Sequence, residues 1–285
     1  MPGGRHADGL TENALVIFED GVYLELISFI HPPEHYLPGS AERAVREGHW
    51  WSKIREGWID WALLDLQPVE NPVEEAVGGG VYAAGQQGGR VKPDGDELRW
   101  RVTFPNAEHG RGSLPFFCKD ITPRKGRVRY PFYLDLSLWR LTHQIKLKVP
   151  TDASENLKHT CGATGVAAIR LVAQPGSIDR VAEQFDLIMG IQGRKISISP
   201  TTYTWEAEVP LFEKFKPASI VLKAATSLEE TEWAQGLGNV AAGIWQVDLN
   251  TGQRAHASAA ESMSFEGGAS QARVVTLGFV EKVRA

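Results

Sequence analysis

Two apolar runs near the start of the chain, Asn13–Phe18 and Val22–Ile30, are separated by Glu19-Asp20-Gly21. Asp-Gly between runs rich in β-branched and aromatic residues predicts a hairpin, because both residues tolerate the backbone angles of a tight turn. Along the second run Tyr23, Glu25 and Ile27 share one face, and Leu24, Leu26 and Ser28 share the other. Either face can be the inner one, so Glu25 is a candidate for an inward-facing carboxylate. Further on, His31-Pro32-Pro33 and Pro38-Gly39 mark a loop, Ala41–Glu47 predicts a short helix, and Gly57–Leu66 predicts a strand. Asn71–Gly89 reads as a weakened helix or linker, since its glycines each cost a helix about 1 kcal/mol relative to alanine. Leu98–Phe104 and Leu114–Cys118 are the next two strands.

A second round of elements begins near His159. Val166–Ala173 is a strand, and Ile178–Met189 carries its apolar residues at helical spacing, with Ser177 as N-cap and Gly190 as the stop. Strands are expected at Lys195–Ile198, Thr202–Val209 and Ser219–Ala224, then a helix over Leu228–Gly236 and a closing strand over Ala241–Leu249. This order repeats what the first half shows in shortened form. Tyr130–Lys158 alternates apolar and polar residues but has no counterpart in the repeat. After Thr251 the chain turns Ala/Ser/Gly-rich and is expected to be mobile, apart from a short apolar run over Val274–Val280.

Composition narrows the function classes. With 285 residues and 42% apolar content the chain can bury one large core or two ordinary ones. A formal net charge of −5 argues against nucleic acid as a partner. Cys118 and Cys161 lack disulfide-framework or metal-site spacing and read as free thiols. No apolar run reaches the roughly 20 residues that span a membrane, so the expected location is cytoplasmic with no membrane partner.

The segments GGRHADGLTENALV, GVYLELISF, HWW followed by GWIDWALL, RVKPDGDELRWRVTFP, LPFFCKDITPR and HTCGATGVAAIRLV resemble the glyoxalase-like domain proteins of the vicinal oxygen chelate superfamily, in the form common in fungi. They cover most of residues 3–128 and 159–250. The resemblance implies an α+β fold of repeated βαβββ modules, forming curved mixed sheets around a cavity. It also implies a strand and helix upstream of Gly3, so the first module is expected to be N-terminally truncated. The expected organisation is a glyoxalase-like unit over 1–128 (the truncated module plus a second one), an insert or linker over 129–158, another module over 159–250, and a tail over 251–285. A strand missing from a module leaves an unpaired edge, which predicts a homodimer through strand borrowing.

The same resemblance implies a divalent metal held by His and Glu on facing strands, with Glu25 as ligand or catalytic base. At the positions matching the family's His stand Trp61 and Ala168, and Leu114–Phe117 offers no second carboxylate. Glu25 is therefore the one remaining member of that ligand set, and metal support is weak. His6, Asn13 and Trp61 are candidate pocket residues; the structural alternative for Asn13, with Thr11, is a turn that satisfies its own backbone. His49-Trp50-Trp51 is a candidate pocket rim or a packed lid. Arg99 and Arg101 share a strand face and are candidates for an anionic substrate group, against the alternative of a solvated face. The expected function is binding or conversion of a small oxygenated metabolite, by lyase or isomerase chemistry if the protein is an enzyme. The alternatives are a non-catalytic small-molecule binder and an incomplete gene-model product without activity.

Overall fold

The computed structural model describes residues 2–6, 8–54, 57–65, 72–91, 95–123, 158–190, 194–195, 201–207, 215–251, 262–266 and 278–281. Strands β1 (Pro2–Arg5), β2 (Thr11–Ile17) and β3 (Tyr23–Phe29) come first, followed by α1 (Ala41–Gly48). Next are β4 (Gly57–Trp58), β5 (Ala62–Leu64), α2 (Val73–Val77), β6 (Gln86–Val91), β7 (Glu97–Thr103) and β8 (Phe116–Asp120). The later part contributes β9 (Ala163–Ala173), α3 (Ile178–Met189), β10 (Arg194–Lys195), β11 (Thr202–Ala207) and β12 (Ala218–Ala224). It closes with α4 (Leu228–Gln235), β13 (Ala242–Thr251), β14 (Ser262–Glu266) and β15 (Gly278–Glu281).

These strands form three sheets, ordered β1-β2-β3-β15-β4, β5-β8-β7-β6 and β10-β11-β12-β9-β13-β14. The second sheet takes one βαβββ unit: β5, α2, then β6 to β8, with β5 parallel to β8 and the other neighbours antiparallel. The third repeats that plan in β9, α3 and β10 to β12, with β9 parallel to β12. The fold is thus α+β, with mixed sheets and βαβββ units as the sequence implied.

The β2–β3 hairpin turns at Gly21, whose φ of 87° belongs to the left-handed region that glycine enters without strain. Three expectations need correction. The described part of the expected Gly57–Leu66 strand, residues 57–65, holds two strands in different sheets, because the side chain of Asp60 accepts the Trp61 amide at 3.0 Å and removes it from any ladder. Asn71–Gly89 is a single short helix, α2, followed by the start of β6; Gly78, Gly79 and Gly80 all take positive φ between them. At α3 the stop at Gly190 is left-handed as expected, with φ 65°. Ser177, however, makes no side-chain cap: its hydroxyl donates to the carbonyls of Gln174 and Ala241 at 2.9 and 2.7 Å. The insert over Tyr130–Lys158 lies, except for Lys158, outside the described residues, as do residues 196–198 of the expected Lys195–Ile198 strand.

One apolar core runs from Phe18 to Leu249 and joins the early and late elements. Its centre is a column in which Trp61 stacks on Phe185 of α3 at 5.9 Å and Phe185 meets Trp205 of β11 at 5.0 Å. The apolar stripe Ile178, Val181, Ala182 and Phe185 is the buried face of α3, as its spacing requires. No helix among the described residues is long and apolar enough to cross a membrane.

The hairpin turn is also stapled to the third sheet. Asp20 is buried and its two carboxylate oxygens accept from the amides of Val22, at 2.8 Å, and Val166 on β9, at 2.9 Å. Glycine at 165 permits this approach, since a Cβ there would overlap Asp20 Oδ2. Gly165→Ala is expected to push the turn off β9 and lower the unfolding free energy by about 1–3 kcal/mol, as overpacking does. Urea unfolding checks this; a midpoint unchanged from wild type would mean the staple adds nothing to stability.

Candidate functional site

On β1 to β3 the period of two brings a defined set of side chains to one face. Asn13 pairs in register with Ile27 and Leu15 with Glu25, so Asn13 and Glu25 are diagonal neighbours on that face. Gly4 lies opposite Asn13 on the other side, and its amide donates to Asn13 Oδ1 at 2.9 Å. The His6 amide donates to the Thr11 carbonyl at 2.9 Å, which brings the imidazole alongside Thr11 and Asn13. A loop and α1 then fold over the same face. Arg46 of α1 is buried with its guanidinium 3.2 Å from the centre of the Phe29 ring, and it donates to the His31 carbonyl and to Ser52 Oγ. This pins His49, Trp50 and Trp51 beside the sheet: His49 meets Phe29 at 5.3 Å and Trp51 meets His6 at 5.7 Å.

The polar groups on this face form one connected chain. Asp8 accepts from the amides of Leu10 and Thr11 and from the Thr11 hydroxyl, at 2.8 to 3.2 Å. Because that hydroxyl proton goes to Asp8, Thr11 Oγ1 is left to accept from His6 Nδ1, 2.7 Å away. A ring with one proton then carries it on Nδ1 and presents Nε2 as an acceptor. The Asn13 amide nitrogen, 3.2 Å from Nε2, donates there and also to Glu25 Oε1. His6 Nε2 itself is 3.6 Å from the same Glu25 oxygen. Glu25 is therefore oriented by an amide whose own carbonyl is held by Gly4, and a base stands beside it through Asn13. The Glu25 side chain stays 23% exposed, so a ligand can reach it.

His49 extends the chain to the wall of the site, with Nε2 3.3 Å from Asp8 Oδ2. Burial pushes its pKa below the ordinary imidazole value, and the neighbouring Asp8 charge only partly restores it. For Asp8 burial acts upward, but the donors from Leu10 and Thr11 outweigh it and hold the carboxyl below its usual range. Neither Asp8 nor a polar role for His49 stands among the site candidates drawn from sequence, which treat His49 with its tryptophans as a rim. The legible signal is local: an Asp two and three residues before Leu10 and Thr11 is spaced to cap their amides.

The other sequence candidates lie apart from this cluster. Trp61 is fully enclosed in the core column against Phe185. Arg99 on β7 is largely exposed, 4.0 Å from Glu97, and Arg101 is ion-paired with Glu74 at the start of α2. A separate cleft of about 140 Å³ is lined by Lys53, Trp58, Arg111, Trp233 and Val240 among others. Arg111 is one of its charged walls: it donates to buried Asp60 and lies 4.0 Å from the ring centres of both Trp50 and Phe104.

Among the described residues the donor set does not fit a divalent metal of the superfamily kind. The His6 nitrogen 3.6 Å from Glu25 already takes the Asn13 amide. Trp61 offers only an indole N–H, and Ala168, buried on β9, offers no donor atom. Among the described residues no three His, Cys, Asp or Glu side chains converge as ligands.

The chain is similar to a solved structure described as a hypothetical protein from Staphylococcus aureus, with TM-score 0.49 and 10% identity, over 79% of this chain and 76% of that one. No curated protein matches it. The family profile described as glyoxalase-like domain matches residues 1–189, a span that includes β1 to β3, the His6–Asn13–Glu25 cluster and the βαβββ unit of the second sheet. The chain belongs to the glyoxalase-like domain family of the vicinal oxygen chelate superfamily.

Proposed function

We propose that the face bearing His6, Asn13 and Glu25 binds a small oxygenated metabolite, and that Glu25 is its proton acceptor. The observation that carries this reading is the shared amide of Asn13. It orients the Glu25 carboxylate and holds the His6 imidazole beside it on the same amide nitrogen. The matching reaction is a lyase or isomerase step in which a C–H next to a carbonyl gives its proton to Glu25. Its electron pair moves onto the carbonyl oxygen as an enolate, and the proton returns at another atom. No step of this reading is routed through a metal, since the described donor set does not fit one. Trp51 and His49 wall one side of the face.

The second reading, a binder without catalysis, draws on Trp61 and Ala168 standing where the family resemblance places ligating His. One experiment separates them. Solvent-deuterium exchange into a panel of small hydroxy-carbonyl compounds is followed by NMR for wild type and Glu25→Gln, with affinity measured in parallel by calorimetry. Enzymatic exchange that falls about 10²- to 10⁴-fold in the variant, at affinity held within a few-fold, fits a general base. Binding with no exchange in either protein establishes the binder, and exchange unaffected by the substitution sinks the role of Glu25.

A further inference from the structure

The sheet that carries Glu25 contains a strand from the opposite end of the chain. β15 lies between β3 and β4, parallel to β3 in the register Gly278 opposite Glu25 through Glu281 opposite Ser28, and antiparallel to β4. In the two other sheets the place next to the last strand of the unit is held, in parallel, by the unit's own first strand: β5 beside β8, and β9 beside β12. The match with the third sheet extends further. The order β1-β2-β3-β15-β4 reproduces β10-β11-β12-β9-β13, and in each the first-strand position makes an antiparallel pair on its far side. Connections and loop lengths differ entirely between the two sheets; the pairing pattern does not.

We propose that residues 278–281 are the first strand of the unit that carries Glu25, supplied by the far end of the same chain. The strand satisfies the edge of β3 that would otherwise present a row of unpaired amides and carbonyls. The register position opposite Glu25 is a glycine, which brings no side chain of its own to the carboxylate. The proposal concerns how the unit is completed and does not depend on which ligand the site takes. It replaces the expected strand-borrowing dimer with completion inside one chain.

The register supplies the test. Neighbouring strands run about 4.8 Å apart, within the range that a disulfide bridges. Ser28→Cys and Glu281→Cys are combined in the full chain with Cys161→Ser, which removes the exposed native thiol. Mild oxidation is expected to give a disulfide within one chain, seen as a faster-running monomer on non-reducing gels and as the linked peptide by mass spectrometry. A disulfide between two chains would overturn the proposal in favour of exchange between copies. As a second readout, Val280→Pro in the full chain removes a backbone donor and disrupts β15 alone. Hydrogen exchange of Tyr23–Phe29 is expected to quicken at least ten-fold while β12 and β13 are unchanged. No cross-link together with unchanged exchange on β3 would equally overturn it, and so would acceleration in every sheet, which would make β15 part of a global core.

Discussion

Arg111→Ala is expected to lower the unfolding free energy by about 3–5 kcal/mol, the cost of leaving a buried carboxylate without its cation. Asp60 is almost fully enclosed, and Arg111 donates to its Oδ2 through both Nε and Nη2. Burial already pushes the Asp60 pKa upward, and the Arg111 guanidinium is the main influence opposing it. Removing that cation raises the folded-state pKa further, so the loss is largest at neutral pH and shrinks as acid protonates Asp60 in both proteins. The substitution also empties the space between Trp50 and Phe104. Asp60→Asn on the Arg111→Ala background should therefore recover part of the loss, leaving the packing part. Urea titrations of both singles and the double at pH 7 give the coupling. An Arg111→Ala protein within about 1 kcal/mol of wild type would show that Asp60 does not need its cation.

The second large effect is a pH dependence at Asp20. Burial lifts its pKa from 3.8 to about 6, against the pull of the Val22 and Val166 amides. The folded state then holds the proton more tightly than the unfolded chain. Its stabilising contribution is complete below the unfolded value and is lost as pH rises through about 6. A shift of roughly two units corresponds to about 3 kcal/mol. Asparagine cannot titrate, so comparison with Asp20→Asn isolates the effect. Between about pH 4 and pH 7.5 the stability difference should move by roughly 3 kcal/mol in favour of the variant. The variant carries a constant penalty, because its amide turns a donor toward one of the two N–H groups that Asp20 accepts. Parallel stability curves over that range would show that Asp20 does not titrate there.

Elements defined by short-range rules are legible in the order of residues alone. The β2–β3 hairpin follows from Asp20-Gly21 between alternating runs, α3 from its apolar spacing, and its end from Gly190. These depend on residues within a few positions of each other. The breaks come where a distant group intervenes. Gly57–Leu66 has strand composition throughout, yet Asp60 turns to Arg111, 51 residues away, and the strand divides. Ser177 has the right identity for a cap, but the carbonyl of Ala241 on a neighbouring segment takes its hydroxyl. The glycine-rich Gln86–Val91 lacks strand composition, and the ladder offered by β7 makes it a strand.

The candidate site divides in the same way. Alternation along β2 and β3 puts Asn13 and Glu25 within a diagonal of each other, and family resemblance adds His6. All of that is local periodicity plus one turn. That Asp8, Thr11, His6, Asn13 and Glu25 share a single hydrogen-bonded chain requires the register of three strands. Trp61 can be matched to a family ligand position from its neighbours, while its stacking on Phe185 in the core column requires the packing of α3. The family, the module plan and the carboxylate are thus written in the chain, because periodicity and motif order are properties of adjacent residues. What surrounds that carboxylate, and which strand completes its sheet, is fixed in three dimensions. A backbone edge accepts any extended segment that satisfies its hydrogen bonds, and nothing local to Glu25 says that the segment comes from Gly278–Glu281.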